Sequence, residues 1–259
     1  ERAVNSAYNQ DYINKEIIVI DDGSNANTKE ILKKLQVRID KLLIQKNSGV
    51  VSARNYGIAE ADGEFILTLD ADDYFEPRFL KNSVPILEQN SRVGMVTSWM
   101  LVKNELSKEK RIVKPTGASA FNALFFNNAP ASLLFRKKCW EEVEGYDINL
   151  YEGYEDWEFN VAVGEKGWQI FVIREVLFNY TNRIGSRNKK ARNFYPKIRR
   201  YTYKKHQALL AENIDKTIDF LLNEIENKDR EIDKLKNSRS YLLGDLFIKP
   251  LRKLKSYFS

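Results

Sequence analysis

Two apolar runs of the sequence end in clustered carboxylates, and this pairing is the feature best suited to carry chemistry. The first run, EIIVIDDGS, ends at Asp21 and Asp22, and the second, FILTLDADD, ends at Asp70, Asp72 and Asp73. Both runs are β-rich and apolar, as in strands that are buried on both faces. In open α/β sheets, ligands bind beyond the carboxyl ends of the strands. We therefore expect both acidic sets to face one crevice, where a cation or hydrogen-bond donors make their crowding tolerable.

The two acidic sets suit different ligands. Carboxylates after the first run can accept hydrogen bonds from a nucleobase or a ribose, and Gly23 permits a tight turn and close ligand approach. An ordinary turn explains this segment equally. Oxygen ligands after the second run suit Mg²⁺ or Mn²⁺, which can also bridge a diphosphate. The alternative there is capping of the next helix by Asp73 or Glu76.

Two further segments carry polar groups at the start of predicted helices. In QKNSGVVSARNYG, Asn47 and Gly49 mark a strand–helix junction, and Arg54 lies on the second helical turn, within reach of a base or phosphate. In YEGYEDWEF, Glu155 and Asp156 begin a helix, where a carboxylate can act as a general base toward a sugar hydroxyl. Taken singly, each segment is also explained by ordinary helix capping or by acids at a helix N-terminus.

The elements that must position these groups alternate between strand-like and helix-like runs. This alternation predicts βαβ units and a mostly parallel central sheet flanked by helices, hence an α/β fold. The predicted strands are 16–21, 41–45, 65–70, 93–102, 131–136 and 169–180, and the predicted helices are 28–36, 51–61, 77–89 and 154–165.

Composition excludes several classes of protein. The 259 residues contain one cysteine, Cys139, and one histidine, His206, so an internal disulfide framework and Cys/His zinc sites lack their ligands. A Ser-His-Asp triad would depend on His206 alone. We expect no signal peptide, and the sequence contains no apolar run of about 20 residues. We therefore expect reduced, cytoplasmic surroundings.

The C-terminal part differs in pattern from the rest. Apolar residues at alternating three- and four-residue steps predict a heptad helix and a homodimer, the alternative being a helix that folds back on its own domain. They are Ala211, Ile214, Ile218, Leu221, Ile225, Ile232 and Leu235. We predict a catalytic domain at 1–205, the heptad helix at 206–238 and a basic amphipathic tail at 239–259.

The basic stretch 183–205 and this tail suit an anionic partner such as phosphate or a membrane surface. No recognition motif supports nucleic acid.

In their order and spacing, the four motif segments resemble the inverting glycosyltransferases of family 2, which have the GT-A fold. The family pattern is DDGS at a strand end, N-x-G-x-x-x-A-R-N-x-G, D-x-D at a second strand end and an ED pair before a helix. The corresponding residues here are Asp21–Ser24, Asn47–Gly57, Asp70–Asp72 and Glu155–Asp156. The resemblance covers residues 1–190. The family's first strand has no counterpart in the sequence, which opens in the helix expected to follow that strand. The loop at Arg183 matches the family's basic loop only loosely.

The resemblance implies a nucleotide-diphosphate sugar as donor, most simply a UDP-sugar, and a saccharide or lipid-linked acceptor. It assigns Asp21, Asp22, Asn47, Gly49, Arg54, Asp70 and Arg183 to donor binding, Asp72 with Asp70 to Mn²⁺ or Mg²⁺, and Asp156 with Glu155 to catalysis. It places such an enzyme in surface polysaccharide or glycan biosynthesis, in the cytoplasm or peripherally at the inner face of the plasma membrane. A sugar nucleotidyltransferase and a non-catalytic glycan-assembly subunit are the alternatives.

Overall fold

The computed structural model describes residues 1–117, 119–183 and 187–244. The chain forms two compact units, one spanning Glu1–Gln207 and the other beginning at Ala208. The helices are α1 Arg2–Tyr8, α2 Ala26–Leu35, α3 Gly49–Ala59, α4 Phe79–Gln89, α5 Ala120–Phe125, α6 Lys137–Glu142, α7 Glu155–Glu165, α8 Arg187–Ala191, α9 Tyr195–Lys205, α10 Gln207–Glu212 and α11 Ile214–Lys236. The strands are β1 Ile18–Asp22, β2 Lys41–Gln45, β3 Phe65–Leu67, β4 Tyr74–Phe75, β5 Val93–Asn104, β6 Lys110–Val113, β7 Leu134–Arg136 and β8 Gln169–Asn182.

The strands form a two-stranded sheet, β1–β2, and a larger sheet in the order β3-β7-β5-β8-β4, with β6 paired to β5. Among the described strands, β1–β2 and β5–β8 are parallel, whereas β3–β7, β4–β8, β5–β6 and β5–β7 are antiparallel. The α/β class is therefore confirmed, but the pairing is mixed rather than mostly parallel. One reason is that the short connection between β5 and β6 permits only an antiparallel pair.

The larger sheet separates two hydrophobic cores. Met95 of β5 and Phe135 of β7 pack in a core that includes residues of α3, α6 and α7, whereas their chain neighbours Val96 and Leu134 pack in a core that includes α4. Alternate residues of a strand point to opposite faces, so each strand supplies both cores. The sheet thus holds α3 and α7, which carry the candidate Arg54 and Glu155, on the same side.

Helix α3 lies against β1 at very close range. A Cβ on Gly57 would lie 2.5 Å from Cδ1 of Ile20, so any larger residue here would force the Ile20 side chain to move. Asn55 next to it donates from Nδ2 to the carbonyl of Tyr146 at 2.8 Å and accepts from the Tyr146 N–H and from Trp140 Nε1. The A-R-N-x-G part of the motif therefore anchors α3 to the sheet and to the segment that precedes α7.

In the second unit, the segment predicted as a heptad helix consists of α10 and α11 with Asn213 between them. The heptad side chains of α11 lie along an exposed apolar stripe that includes Ile218, Leu221 and Ile225. Residues 245–259 of the predicted basic tail lie outside the described residues. In the part of the chain that the structure describes, no helix combines the length and the apolar character needed to cross a membrane.

Candidate active site

Asp21 and Asp22 end β1 and hold two successive turns in place. Asp21 is 2% exposed, and its Oδ1 accepts from the Ser24 N–H at 2.8 Å. Hydrogen bonds from Ser24 hold the pKa of the Asp21 carboxyl below its usual range. Asp22 accepts from Gln45 Nε2 at 2.7 Å and from the backbone N–H groups of Ser48 and Gly49 at 2.7 and 2.9 Å. Asp22 thus joins the end of β1 to the N-terminus of α3, where the helix dipole favours a negative charge.

The glycine and asparagine positions of these turns follow from backbone geometry. Gly23 has a φ of 74°, and a Cβ on it would lie 2.8 Å from the backbone nitrogen of Asn47. Gly49 has a φ of 86°, with open space beside it. Both are left-handed conformations that favour glycine. The Asn47 side chain is exposed, so Asn47 and Gly49 leave the start of α3 open to a ligand.

Arg54 connects the second acidic set to the acid pair of α7. Its Nη2 lies 2.7 Å from Asp70 Oδ1, and its Nη1 lies 2.8 Å from Glu155 Oε1. The guanidinium also lies 5.6 Å from the centre of the Tyr146 ring. Burial works against the charge of Arg54, but the carboxylates beside it raise its pKa above the usual range. Because its side chain is 9% exposed, Arg54 acts as a fixed bridge between Asp70 and Glu155, which lie 16 and 101 residues from it along the chain.

Glu155 receives a second guanidinium. Arg187 Nη1 lies 2.9 Å from Glu155 Oε1, and Arg187 Nη2 lies 3.1 Å from Oε2, a bidentate pairing. Tyr154, which precedes Glu155, has a φ of 62° in the left-handed region. That conformation is costly for a residue with a side chain and is found at functional sites. Both carboxylate oxygens of Glu155 are therefore engaged by arginines.

Asp156, the second acid of this pair, forms no ion pair with an arginine among the described residues. Its Oδ2 accepts from Asn127 Nδ2 at 3.1 Å. Burial, followed by the nearby Glu155 carboxylate, raises the pKa of Asp156 to about 6. A carboxylate with a pKa close to the working pH is suited to accept a proton as a general base.

The DADD segment contributes two accessible carboxylates and one buried one. Asp70 and Asp72 are 38% and 39% exposed, and Asp72 Oδ2 lies 3.5 Å from Arg183 Nε. Asp73 is 1% exposed and accepts from the Thr181 N–H at 2.8 Å. Burial raises the pKa of Asp73 to about 7. Neither Asp73 nor Glu76 caps α4. The Asp73 carboxylate accepts from the Thr181 N–H instead, and Glu76 Oε1 accepts from Asn179 Nδ2. The capping explanation of this segment is therefore wrong.

The donor set at Asp70 and Asp72 fits a hard divalent cation only in part. Within the described residues, no group of three or more His, Cys, Asp or Glu side chains could hold a metal. Mg²⁺ sites commonly use one or two carboxylates and complete the shell with substrate phosphates and water. Asp72, with the Asp70 oxygen that Arg54 leaves free, matches that arrangement.

Both ring nitrogens of the single histidine, His206, contact carboxylates. Nδ1 of His206 lies 2.6 Å from Glu165 and Nε2 lies 2.9 Å from Glu158, both on α7. Glu158 also contacts Lys205 Nζ at 2.7 Å. These carboxylates raise the pKa of His206 despite its burial. His206 thus fastens the end of α9 to α7, and both of its ring nitrogens are engaged there rather than in a catalytic triad.

The structure gathers most of the predicted site residues around α3. Asp22, Asn47 and Gly49 surround its first turn, whereas Asp70 and Glu155 contact its second turn through Arg54. Sequence reasoning missed Arg187 and Asn127. Arg187 lies in the basic stretch already singled out, but its spacing does not reveal which acid it contacts. Asn127 lies between predicted elements, where no pattern distinguishes it.

Comparison with known proteins gives concordant matches. The model of the family described as "Glycosyl transferase family 2" matches residues 1–142, more than half of the chain. The chondroitin synthase of Pasteurella multocida is 24% identical over 260 residues, covering 92% of this chain and 26% of that protein. A GalNAc(5)-diNAcBac-PP-undecaprenol beta-1,3-glucosyltransferase of Campylobacter jejuni is 30% identical over 190 residues, covering 66% of this chain and 60% of that protein. The chain thus spans less than two thirds of the length of either relative.

Solved structures resemble the fold at lower identity. S. aureus TarS 1-349, solved in complex with UDP, superposes with a TM-score of 0.59 at 21% identity, covering 70% of this chain and 56% of that one. The same protein in complex with UDP-GlcNAc gives a TM-score of 0.57. At this level of identity, the likeness concerns the fold alone.

Proposed function

The chain belongs to glycosyltransferase family 2, and on that premise we propose that it transfers a sugar from a nucleoside-diphosphate sugar to an acceptor hydroxyl with inversion of the anomeric centre. UDP-sugars are the proposed donors, in line with the UDP and UDP-GlcNAc complexes of the structural relative. The proposed pathway is surface polysaccharide or glycan synthesis, the class to which the named relatives belong.

The observation that carries the proposal is the buried bridge from Asp70 through Arg54 to Glu155. It ties the loop that would face the diphosphate to the helix that presents Asp156. A transferase of this kind must hold donor and base in a fixed relation, because a displacement of about 1 Å can reduce the rate about 100-fold. An ordinary surface turn or helix cap would not require such a bridge.

On the donor side, Asp21 and Asp22 are proposed to shape the nucleoside site by holding the turns at the end of β1 and the start of α3, and the exposed Asn47 and Gly49 leave space beside these turns. Arg54 acts by fixing Asp70 rather than by reaching the base. Arg183, 3.5 Å from Asp72, supplies positive charge next to the diphosphate. When bound at Asp72 and Asp70, Mn²⁺ or Mg²⁺ offsets the charge of the departing nucleoside diphosphate.

On the acceptor side, Asp156 removes the proton from a sugar hydroxyl. The hydroxyl oxygen bonds to the anomeric carbon while the bond from that carbon to the diphosphate oxygen breaks. The attack and the departure are on opposite faces, so one displacement inverts the centre. Proton transfer of this kind contributes about 10²–10⁴-fold to the rate.

A donor screen tests the proposed reaction. Nucleoside-diphosphate sugars are incubated with the chain and saccharide acceptors, and the phosphate-containing product is identified. Release of nucleoside diphosphate is the expected result. Release of pyrophosphate would instead indicate a sugar nucleotidyltransferase, and donor binding without turnover would indicate a non-catalytic assembly subunit.

Replacing Asp72 by alanine is expected to remove the metal dependence of donor binding. Isothermal titration with UDP, with and without Mn²⁺, measures the gain in affinity that the metal gives. This gain should fall at least about tenfold in Asp72→Ala, because one of the two carboxylates proposed to bind the metal is lost. The control is Asp229→Ala, which removes an exposed aspartate of α11. An unchanged titration of Asp72→Ala with Mn²⁺ would contradict the metal site.

We propose that α11 forms a homodimer through its apolar stripe, as heptad helices commonly do. The chain with Ile218→Glu and Ile225→Glu should then sediment as a monomer, whereas the unmodified chain sediments as a dimer. A monomeric unmodified chain would exclude this role.

Peripheral attachment to an anionic membrane through residues 239–259 is proposed as well. Sedimentation with anionic liposomes, compared for the chain with and without these residues, tests it.

A further inference from the structure

A basic and aromatic groove lies on α9. Its volume is about 490 Å³. The groove is lined by Tyr195, Arg199, Arg200, Tyr203, Lys204 and Gln207, among others. Positions four residues apart share a helix face, so Tyr195, Arg199 and Tyr203 form one stripe and Arg200 and Lys204 form the adjacent one. Among the residues that the structure describes, three cations and no acid line the groove.

Several cations of the basic stretch 183–205 differ in whether they pair with an acid. One group pairs with acids of the fold and of the candidate active site, and it consists of Arg183 with Asp72, Arg187 with Glu155, Lys197 with Glu152 and Lys205 with Asp147 and Glu158. Arg200 and Lys204 are exposed and form no ion pair with any described residue. Fold stability therefore does not explain the charges of Arg200 and Lys204, and an external anion would complement them.

One end of the groove contacts the two aromatic residues that flank the acid pair in the chain. The Tyr195 ring lies 5.1 Å from the Tyr154 ring and 6.1 Å from the Trp157 ring, measured between centroids. Tyr154 and Trp157 flank Glu155 and Asp156 in the chain. From Tyr195 to Lys204, α9 rises about 13.5 Å, at about 1.5 Å per residue. That length accommodates more than one sugar unit of a chain whose end lies near Asp156.

We propose that this groove binds the part of an anionic acceptor saccharide that lies behind the reacting sugar. The inference rests on the proposed glycosyl transfer and adds the chemical class of the acceptor. Guanidinium groups bind carboxylates and phosphates through charge-assisted hydrogen bonds. The Tyr203 hydroxyl accepts from Arg199 Nε at 2.8 Å, and the Arg199 guanidinium lies 5.1 Å from the centre of the Tyr203 ring, so this tyrosine holds Arg199 in place along the groove. The acceptor therefore carries carboxylate or phosphate groups.

The test measures binding of defined acceptor probes to the full chain and to two double variants. Arg200→Gln with Lys204→Gln removes the unpaired charges of the groove. Lys81→Gln with Lys166→Gln is the matched control, because both lysines are exposed and Lys166 lies at the end of α7 remote from Asp156. The probes are a hyaluronan hexasaccharide, its carboxyl-reduced neutral counterpart and a glycerol-phosphate oligomer. UDP binding with Mn²⁺ is measured on every chain.

The expected result is tighter binding of an anionic probe than of the neutral one, with affinity reduced at least about tenfold in the groove variant and unchanged in the control. Whichever anionic probe binds more tightly identifies carboxylate or phosphate. Equal binding of the neutral probe, or an unaffected groove variant, overturns the proposal. The proposal is also overturned if no saccharide binds but the chain binds anionic liposomes and the variant Arg200→Gln with Lys204→Gln does not. UDP binding without saccharide binding sinks the acceptor inference alone, whereas failure to bind any nucleotide contradicts the proposed function as well.

Discussion

The Asp156→Asn variant is expected to lose transfer activity by about 10²–10⁴-fold while binding the donor as before. Asparagine has the shape of aspartate and can still contact Asn127, but it cannot accept the acceptor proton. Initial rates of nucleoside diphosphate release with acceptor, together with UDP titration, measure the two effects separately. Full transfer activity in this variant would remove Asp156 as the base.

The pH dependence gives an independent check on the same residue. Burial and the Glu155 carboxylate raise the pKa of Asp156 to about 6, and the base must be deprotonated to work. The rate should therefore rise with pH through about 6 and level off above it. Glu155→Gln removes a negative neighbour, so it should shift this rise to lower pH. A rise that Asp156→Asn retains in its residual activity would assign the titration to another group.

The Arg54→Met variant is expected to unfold more easily by about 3 kcal/mol and to lose most of its activity. Removing one partner of a buried ion pair typically costs about 3–5 kcal/mol because it strands the other charge. The lower end applies because Arg187 still pairs with Glu155 and because Asp70 is open to water. Urea denaturation followed by tryptophan fluorescence measures the loss in the first unit, which contains all four tryptophans.

Two further chains complete this test. Arg78→Met breaks an exposed pair with Glu175 at 3.5 Å and should change stability by less than about 1 kcal/mol. In the Glu155→Gln background, Arg54→Met should cost less than in the unmodified chain, because one of the two carboxylates that pair with Arg54 is already neutral. Equal costs in both backgrounds would mean that Arg54 stabilises the fold without acting through Glu155.

Much of the candidate site could be predicted because its signals are local. The strand ends at Asp22 and near Asp70 follow from apolar runs that stop at acids, and the start of α7 follows from an acidic pair after a glycine-containing turn. Helix α11 follows from its three- and four-residue spacing. Backbone propensity and periodicity act over a few residues, so the sequence contains them directly.

Other features required the tertiary structure. The mixed pairing of the larger sheet depends on how β5 and β8 meet although they are far apart in the chain, which no local pattern encodes. The sequence predicts Arg54 near the base or phosphate, yet its guanidinium lies between Asp70 and Glu155. An arginine on a helix surface reaches several directions, and packing selects one of them.

The amino-acid sequence by itself determined which residues can do chemistry and the family to which the chain belongs, because motif spacing is written along the chain. Only the tertiary structure decided which of the two adjacent acids is held by arginines. Glu155 and Asp156 are adjacent and alike in sequence, but two guanidinium groups engage the first, whereas the second contacts an amide and has a raised pKa. That difference arises from contacts between residues remote in the chain, which folding alone brings together.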